Sequence, residues 1–440
     1  MKKRYLISVI CFILPLAFVL VFGLIEQDRT FSATENRELA TVPELTWQSY
    51  ADSSFMQNLE TYFNDQFPFR DGFIRMSKAY NKLMYPNFLL SEDDVIVLPP
   101  SSVNPAVPPV QTSPSIGEGG QPNVETTEPP AAPQTLLGNL IYRGRIMETF
   151  NVSDAAAQRY ADIVNLIYTA CGRPETYIVI PTPAYMLYAP EGHITENTDF
   201  NRAMATFTAA LNGPQVIDLR ETYAAVKDEY IYFRTDHHWT GRGAYYACRE
   251  FLQVAEGVTL SDLSTYRSGV REGFLGSLYR AVMTNQASSI LEKEPDRVEY
   301  FYPHTEVEVI AYSSAAMNDP MVRQVIYPNY NDDTNLYCVY MGGDIALAKI
   351  TTQVKNGKSI LVIRDSYGHA FVPFLMDAYE TIYIFEPRYF DPNLNPIDLP
   401  AFFAEHKINK MLHVGYPHMS IGGYWDTMAK YLEPLFPAEG

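Results

Sequence analysis

Two polar stretches of this chain contain side chains that proteins use for proton transfer and nucleophilic attack. The first reads Asp236-His237-His238-Trp239 and brings an acid and two imidazoles into consecutive positions. Alternate residues of an extended segment point the same way, so we expect Asp236 and His238 to share one side and His237 to face away. A carboxylate beside an imidazole can fix its tautomer and stabilise its charged form. Asp236 and His238 are therefore the predicted acid–base pair, and His237 is predicted to be structural.

The second stretch is Arg364-Asp365-Ser366-Tyr367, which follows the apolar run 359–363 and precedes a helical pattern. In an open α/β sheet, ligands bind at the carboxyl ends of the strands. A serine in such a turn exposes its hydroxyl close to the unpaired N–H groups of the following helix, and these donors suit the oxyanion of acyl transfer. Ser366 is therefore the predicted nucleophile. A helix-capping role for Asp365 or Ser366 would explain the same residues without any chemistry.

Further residues near these stretches are predicted to contact the substrate or the oxyanion: Trp239, Gly342, Gly343, Arg364 and Tyr367. Arg364 and Tyr367 flank the serine, where they could meet a sugar or a carboxylate. The two adjacent glycines could present a backbone N–H to the oxyanion, although a tight turn accounts for them as well.

A metal centre is the rival explanation for Asp236, His237 and His238. In an extended segment the two histidines would point to opposite sides and could not easily bind one ion together. The additional acidic motifs that DHH phosphoesterases need do not occur in this sequence. The four cysteines form no C-x-x-C pattern, so the common zinc and redox motifs are missing as well. We predict neither a metal nor an organic cofactor.

The pattern after residue 150 predicts the elements that position these residues. Apolar residues at helical spacing alternate with short apolar runs, which is typical of helices and buried parallel strands. The predicted helices are 155–171, 200–211, 244–254, 370–379 and 401–406, and the predicted strands are 177–180, 216–219, 359–363, 381–385 and 410–414. This alternation predicts an α/β fold with a parallel sheet covered by helices on both faces. The less regular residues 267–340 are predicted to form an antiparallel extension or a flap.

The N-terminus predicts the topology of the chain. Lys2, Lys3 and Arg4 precede an uncharged, largely apolar run from 5 to 25, which is long enough for a bilayer-spanning helix. Positive charges before the span place the N-terminus in the cytoplasm and residues 29–440 outside. A cleaved signal peptide is the alternative, although no small-residue cleavage motif ends the run. We predict a single-pass anchor in the cell membrane.

Composition divides the chain into four parts. Residues 1–28 are the predicted cytoplasmic tip and transmembrane anchor, and 29–98 are the juxtamembrane helices, interrupted at Pro68, with the first strand of the main domain. Residues 99–135 are rich in proline, serine, threonine and glycine, which predicts a disordered insertion. Residues 136–440 form the predicted main α/β domain. The formal net charge of −18 argues against nucleic acid as a partner, because an acidic chain repels phosphate backbones.

The Asp-His-His-Trp motif at 236–239 resembles the signature of the bacterial DHHW protein family. Residues 35–40, Glu-Asn-Arg-Glu-Leu-Ala, and 62–70, which include Phe-Asn-Asp-Gln-Phe-Pro-Phe-Arg, resemble the same family. That family is similar to the SGNH-hydrolase-like domain of alginate O-acetyltransferases, in which an Asp-x-His pair is followed later in the chain by a serine after a strand. The resemblance extends over nearly all of the predicted exported part except the insertion, and it implies an SGNH-hydrolase-like fold.

The resemblance also implies a triad of Asp236, His238 and Ser366 in an extracytoplasmic, membrane-anchored serine acyltransferase or esterase. Its substrate would be the O-acetyl groups of a cell-envelope polysaccharide, and a membrane-bound acyl-transfer protein could supply the acyl group. Ordinary SGNH hydrolases place the serine before the other two residues and have a glycine at the position of Arg364. This departure leaves a second hypothesis open, a non-catalytic glycan-binding or scaffolding protein of the cell envelope. The distance from His238 Nε2 to Ser366 Oγ distinguishes the two.

Overall fold

A computed structural model describes residues 138–283, 285, 287–390, 395–422 and 428–436, together with shorter stretches of the first 98 residues. Those stretches are 23, 28–29, 31–32, 37–43, 45–47, 54–70, 72–73, 76–77, 80 and 96–98. The predicted insertion 99–135 lies outside the described residues, as does the predicted anchor 1–28 apart from positions 23 and 28. Within the described part, no helix is both long and apolar enough to span a membrane.

The chain divides into two compact units. One contains Met1–Ser91, Ser102–Gln111 and Arg280–Ile290, and the other contains Glu92–Ser101, Thr112–Tyr279 and Leu291–Gly440. In the first unit, strands β1 (Phe31–Ser32) and β2 (Arg37–Glu38) pair antiparallel, and helix α1 spans Ser54–Asp65. The N–H of Ala40 donates to Asp65 Oδ2 at 2.8 Å, and Gln66 Nε2 donates to the carbonyl oxygen of Ala40 at 2.9 Å. The two N-terminal motifs therefore contact each other.

Beyond residue 95 the elements follow in chain order. The strands are β3 (Ile96–Leu98), β4 (Asn139–Tyr142), β5 (Arg145–Glu148), β6 (Glu175–Val179), β7 (Gln215–Val216), β8 (Ser268–Phe274), β9 (Asp296–Phe301), β10 (Val307–Tyr312), β11 (Met321–Arg323), β12 (Leu347–Thr352), β13 (Ser359–Arg364), β14 (Thr381–Phe385) and β15 (Lys410–Val414). The helices are α2 (Asp154–Ala170), α3 (Ala184–Tyr188), α4 (Phe200–Ala210), α5 (Arg220–Val226), α6 (Gly241–Glu256), α7 (Ser277–Val282), α8 (Ser288–Leu291), α9 (Gly368–Leu375), α10 (Leu399–Glu405), α11 (Pro417–Ser420) and α12 (Met428–Leu432). Short 3-10 segments span Leu263–Thr265, Asp333–Val339, Pro387–Tyr389 and Glu433–Leu435.

The central sheet has eight strands in the order β11-β10-β12-β14-β13-β15-β6-β7. Strands β14, β13, β15, β6 and β7 are parallel, as the alternating pattern predicts. Strands β12, β10 and β11 continue the sheet antiparallel, so the sheet is mixed and the prediction of a parallel sheet is wrong at this edge. The sequence does not predict β12, because Lys349 and Thr351 interrupt its apolar residues. The predicted antiparallel extension is β10, which belongs to this same sheet.

Two hydrophobic cores pack on opposite faces of the sheet. All six residues of β13 are buried; Ile360 and Val362 join one core, and Leu361 and Ile363 join the other. Helices α6 and α9 contribute to the first core, and helices α2, α4 and α10 to the second. Burial on both faces explains why this strand is an unbroken apolar run. Its end, at Arg364, is where the candidate site begins.

Candidate active site

Ser366 lies in the turn between the end of β13 and the start of α9, at the carboxyl edge of the parallel strands. The Asp365 carboxylate fixes this turn, because it accepts the N–H of Tyr367 at 2.9 Å and the N–H of Tyr416 at 2.6 Å. Tyr416 follows β15, which is the neighbour of β13, so the turn is tied to the next strand. Helix α9 therefore has no side-chain cap: Asp365 holds the turn before it, and the partly exposed Ser366 keeps its hydroxyl for another partner.

That partner is His238. Its Nε2 lies 2.8 Å from Ser366 Oγ, and its Nδ1 lies 2.6 Å from Asp236 Oδ1. Asp236 and His238 are each only 6% exposed. An ionised aspartate can only accept hydrogen bonds, so Nδ1 carries the proton and the lone pair of Nε2 accepts the hydroxyl of Ser366. The fold thus joins residues 128 positions apart into one chain of hydrogen bonds, in the polarity that general-base catalysis requires.

The segment that carries Asp236 and His238 is held by a buried carboxylate on β9. Asp296 accepts four hydrogen bonds: from the N–H of Arg234, the N–H and the hydroxyl of Thr235, and the hydroxyl of Tyr230. Burial raises the pKa of Asp296, while these donors oppose that shift. Four donors that converge on the two oxygens of one carboxylate fix the backbone immediately before Asp236.

Asp236 is fixed from the other side by the residues at the start of α7. Its Oδ2 accepts the N–H of Ser277 at 2.7 Å. A side chain at Gly276 would collide with the Asp236 side chain, so this close approach requires glycine. Burial favours the neutral acid, but the neighbouring His238 and His237 rings and the hydrogen bonds hold the pKa of Asp236 well below its usual value. Asp236 is therefore ionised at neutral pH and can stabilise a protonated His238.

His237 does not face away, and that prediction is wrong. Residues 234–238 form consecutive bends and no extended strand, so strict alternation does not apply. The centroids of the His237 and His238 rings are 3.9 Å apart, and His237 Nδ1 lies 2.6 Å from Ser277 Oγ. Ligand atoms of Asp236, His237 and His238 all lie within 4.8 Å of one another, so the orientation argument against a metal also fails. Those atoms nevertheless hydrogen-bond to one another and to Ser366 and Ser277.

Two of the predicted substrate contacts, Trp239 and Tyr367, join the two motifs. Trp239 is fully buried, and its Nε1 donates to the carbonyl oxygen of Tyr367 at 3.0 Å. The hydroxyl of Tyr367 returns a hydrogen bond to the carbonyl oxygen of His237 at 2.5 Å. Trp239 also stacks on Phe371 of α9. These contacts hold the Asp-His-His-Trp segment against the turn that carries the serine.

The remaining predicted contacts lie in the framework. Arg364 is 1% exposed, and its Nη1 lies 3.2 Å from Glu386 and 3.4 Å from Asp344. The N–H groups of Gly342 and Gly343 donate to backbone carbonyl oxygens within the same turn, and both residues have positive φ. These contacts favour the tight-turn interpretation of the two glycines over an oxyanion role.

Beside Asp236 and His237, a narrow recess contains a second carboxyl group. Glu148, at the end of β5, lines this recess together with Tyr367, Tyr416 and His418. Burial raises the pKa of Glu148 to about 7, although the hydrogen bond from the Tyr416 hydroxyl acts in the opposite direction. No motif in the sequence marks Glu148, because its proximity to Asp236 depends on how two distant segments pack.

Two further residues that sequence reasoning missed are Asp296 and Tyr337. Tyr337 stacks on His238 and donates to the carbonyl oxygen of Ser366. Both residues come from the irregular part of the chain, where no spacing pattern links them to the motifs. In the sequence, Asp296 is an isolated acid and Tyr337 an isolated aromatic residue, and such residues are too common to indicate a site.

A Ser–His–Asp chain of hydrogen bonds lies at the carboxyl edge of a mixed α/β sheet that has helices on both faces. The sequence model described as DHHW protein matches residues 110–385. The chain belongs to the DHHW protein family, which confirms the resemblance drawn from its motifs. No curated protein matches the sequence.

The chain matches several solved structures, three of which follow. A DHHW family protein from Eubacterium siraeum is 26% identical, with a TM-score of 0.58, and the match covers 68% of this chain and 94% of that one. Bacillus cereus PatB1, in a structure with a sulfonyl adduct, is 16% identical, with a TM-score of 0.52 and coverage of 64% and 95%. The O-acetyltransferase domain of Pseudomonas putida AlgJ is 13% identical, with a TM-score of 0.39 and coverage of 66% and 95%.

Proposed function

We propose that this protein is a serine acyltransferase or esterase in which Ser366 is the nucleophile, His238 the general base and Asp236 the residue that orients the base. One observation carries the proposal: the hydrogen-bond chain from Asp236 through His238 to Ser366, with 2.6 Å and 2.8 Å contacts. A nucleophile within hydrogen-bond reach of its base, which is oriented by a third group, is the arrangement that acyl transfer requires.

In the first half-reaction, Ser366 Oγ attacks the ester carbonyl carbon while its proton passes to His238 Nε2. The oxyanion that forms can accept from the N–H of Ser366, which donates to no acceptor among the described residues. His238 then protonates the leaving alkoxide, and the acyl group remains on Ser366. A sugar hydroxyl or a water reverses these steps, which makes the reaction a transfer or a hydrolysis. Asp236 stays ionised throughout and stabilises the imidazolium.

The proposed substrate is the O-acetyl group of a cell-envelope polysaccharide, with a membrane-bound acyl-transfer protein as the acyl donor. This part rests on the resemblance of the sequence motifs to alginate O-acetyltransferases. The charged N-terminus followed by an apolar run supports the proposed single-pass anchor, with the catalytic part outside the cytoplasm.

Purified full-length protein, incubated with 4-nitrophenyl acetate, tests the proposal. We expect release of nitrophenolate and an intact mass increased by one acetyl group. Ser366→Ala should remove both, and His238→Ala should lower the rate by about 10²–10⁴-fold, because the hydroxyl loses its base. Ser264→Ala, an exposed serine outside the site, is the matched control and should behave as wild type.

Two other results would redirect the assignment. Polysaccharide binding without turnover or adduct, unchanged in Ser366→Ala, would favour the non-catalytic glycan-binding or scaffolding protein. Activity that depends on added zinc, and on His237 as much as on His238, would replace the serine mechanism with a metal centre.

A further inference from the structure

We propose that Tyr337 is a positioning residue for Ser366 and His238, holding the imidazole by ring stacking and the serine turn by a hydrogen bond. The inference rests on the proposed function, since these two residues are its nucleophile and base. The rings of Tyr337 and His238 lie 3.8 Å apart between centroids and 10° from parallel. The Tyr337 hydroxyl donates to the carbonyl oxygen of Ser366 at 3.1 Å. One buried side chain therefore contacts both partners of the 2.8 Å nucleophile–base contact.

The other contacts of Tyr337 hold its own ring in place. It belongs to the 3-10 segment Asp333–Val339 and is only 2% exposed. Its ring packs on Tyr340 and stacks on His369 at 5.8 Å. The His369 ring is itself held, because its Nε2 lies 3.0 Å from the Asp344 carboxylate. Tyr337 therefore connects the site to the buried pair formed by His369 and the Asp344 carboxylate.

Stacking matters because the contact with Asp236 restrains only one edge of the His238 ring. With Nδ1 held there, the imidazole can still tilt about that contact and carry Nε2 away from Ser366 Oγ. A parallel ring at 3.8 Å opposes this tilt. A misplacement of about 1 Å between reacting groups can cost about 10²-fold in rate. Tyr337 thus acts through His238 and Ser366 and not on the substrate.

The test compares Tyr337→Leu and Tyr337→Phe in full-length protein, with Tyr223→Leu as the control. Tyr223 is equally buried and its hydroxyl donates to a backbone carbonyl oxygen, but its contacts lie outside the site. We expect Tyr337→Leu to lower kcat about 10²-fold with KM unchanged. Tyr337→Phe keeps the stack and loses one neutral hydrogen bond, so its kcat should fall by less than about tenfold. Tyr223→Leu should lower the melting temperature while leaving kcat near wild type.

A second readout does not depend on turnover. The proton between His238 Nδ1 and Asp236 should give a downfield NMR resonance that disappears in His238→Ala. We expect this resonance in wild type and Tyr337→Phe and its loss by exchange broadening in Tyr337→Leu. An unchanged resonance in Tyr337→Leu, or a kcat equal to that of Tyr223→Leu, overturns the positioning role. If Tyr337→Leu does not fold, a Tyr337→Phe variant that loses about 10²-fold in kcat overturns the stacking argument. A wild-type protein without Ser366-dependent turnover instead refutes the proposed function, and the resonance still decides the role of Tyr337.

Discussion

Replacement of Asp296 by asparagine tests how the segment before Asp236 is held. Asp296 Oδ1 accepts from Arg234 N–H at 2.8 Å and from the Tyr230 hydroxyl, and Oδ2 accepts from the N–H and hydroxyl of Thr235. An asparagine has the same shape but only one accepting oxygen. In either orientation of the amide, its NH₂ group replaces an oxygen that accepted one hydroxyl and one backbone N–H. The hydroxyl can rotate and accept from the NH₂ group, but the backbone N–H is left without an acceptor.

The loss of stability follows from this one backbone N–H without an acceptor. A buried donor left without a partner costs about 1–3 kcal/mol, and the hydrogen bonds that remain lose the strength that a charged acceptor gives. Burial raises the pKa of Asp296, so removal of its charge recovers part of the loss. We expect Asp296→Asn to lower the free energy of unfolding by about 2–4 kcal/mol. Formation of the acetyl adduct on Ser366 should slow as well, because the backbone at Arg234 and Thr235 positions His238.

Urea unfolding, followed by tryptophan fluorescence, measures the first effect, and the rate of acetyl-adduct formation measures the second. Asp262→Asn is the matched control, since Asp262 also accepts the N–H and the hydroxyl of a neighbouring residue but is exposed. Its unfolding free energy and labelling rate should stay near wild type. If Asp296→Asn destabilises the protein no more than Asp262→Asn does, Asp296 does not hold the segment before Asp236 as argued.

Two further predictions concern groups next to the triad. His237→Ala should lower kcat by less than about tenfold, because the Nδ1 of His237 contacts Ser277 and not Ser366. This loss should be far smaller than that of His238→Ala, and equal losses in parallel kcat measurements would contradict the prediction. Glu148 has a folded-state pKa of about 7 against an ordinary value of 4.5, so its contribution to stability is complete below pH 4.5 and is lost as the pH rises through 7. Glu148→Gln should therefore flatten the fall in melting temperature over that range, and an unchanged slope would show that Glu148 is not the group responsible.

The position of Ser366 is predictable because its signals are local. All six residues of β13 are buried, which requires an unbroken apolar run, and the polar turn that follows marks the carboxyl end of the strand. The strand-end rule then selects the serine, and the pairing of Asp236 with His238 follows from their types and spacing. The family resemblance linked these two motifs, which lie far apart in the chain. The 2.8 Å contact between Ser366 and His238 fits that link.

The orientation of His237 is not predictable in the same way. Alternation holds for an extended backbone, but Asp296 draws in the N–H groups of Arg234 and Thr235 and folds the segment into bends. The cause lies about 60 residues away, on a strand in the irregular part of the sequence. Strand β12 is not predictable either, although it pairs with a strand on each side. Its Lys349 and Thr351 are only half-buried, so it lacks the continuous apolar run of a strand that is buried on both faces.

Arg364 stands at the position where ordinary SGNH hydrolases have a glycine, and the close approach in this turn falls at Gly368 instead. The Arg364 side chain lies beneath the first residue of α9, and a Cβ at Gly368 would come within 2.5 Å of Arg364 Cδ. In this turn the position that requires glycine is therefore 368, two residues after the serine. Arg364 and Arg388 are matched by the carboxylates of Asp344 and Glu386, and all four side chains are buried. Since loss of one member of a buried ion pair leaves an uncompensated charge, Arg364 supports the turn that carries Ser366 and is compatible with the proposed catalysis.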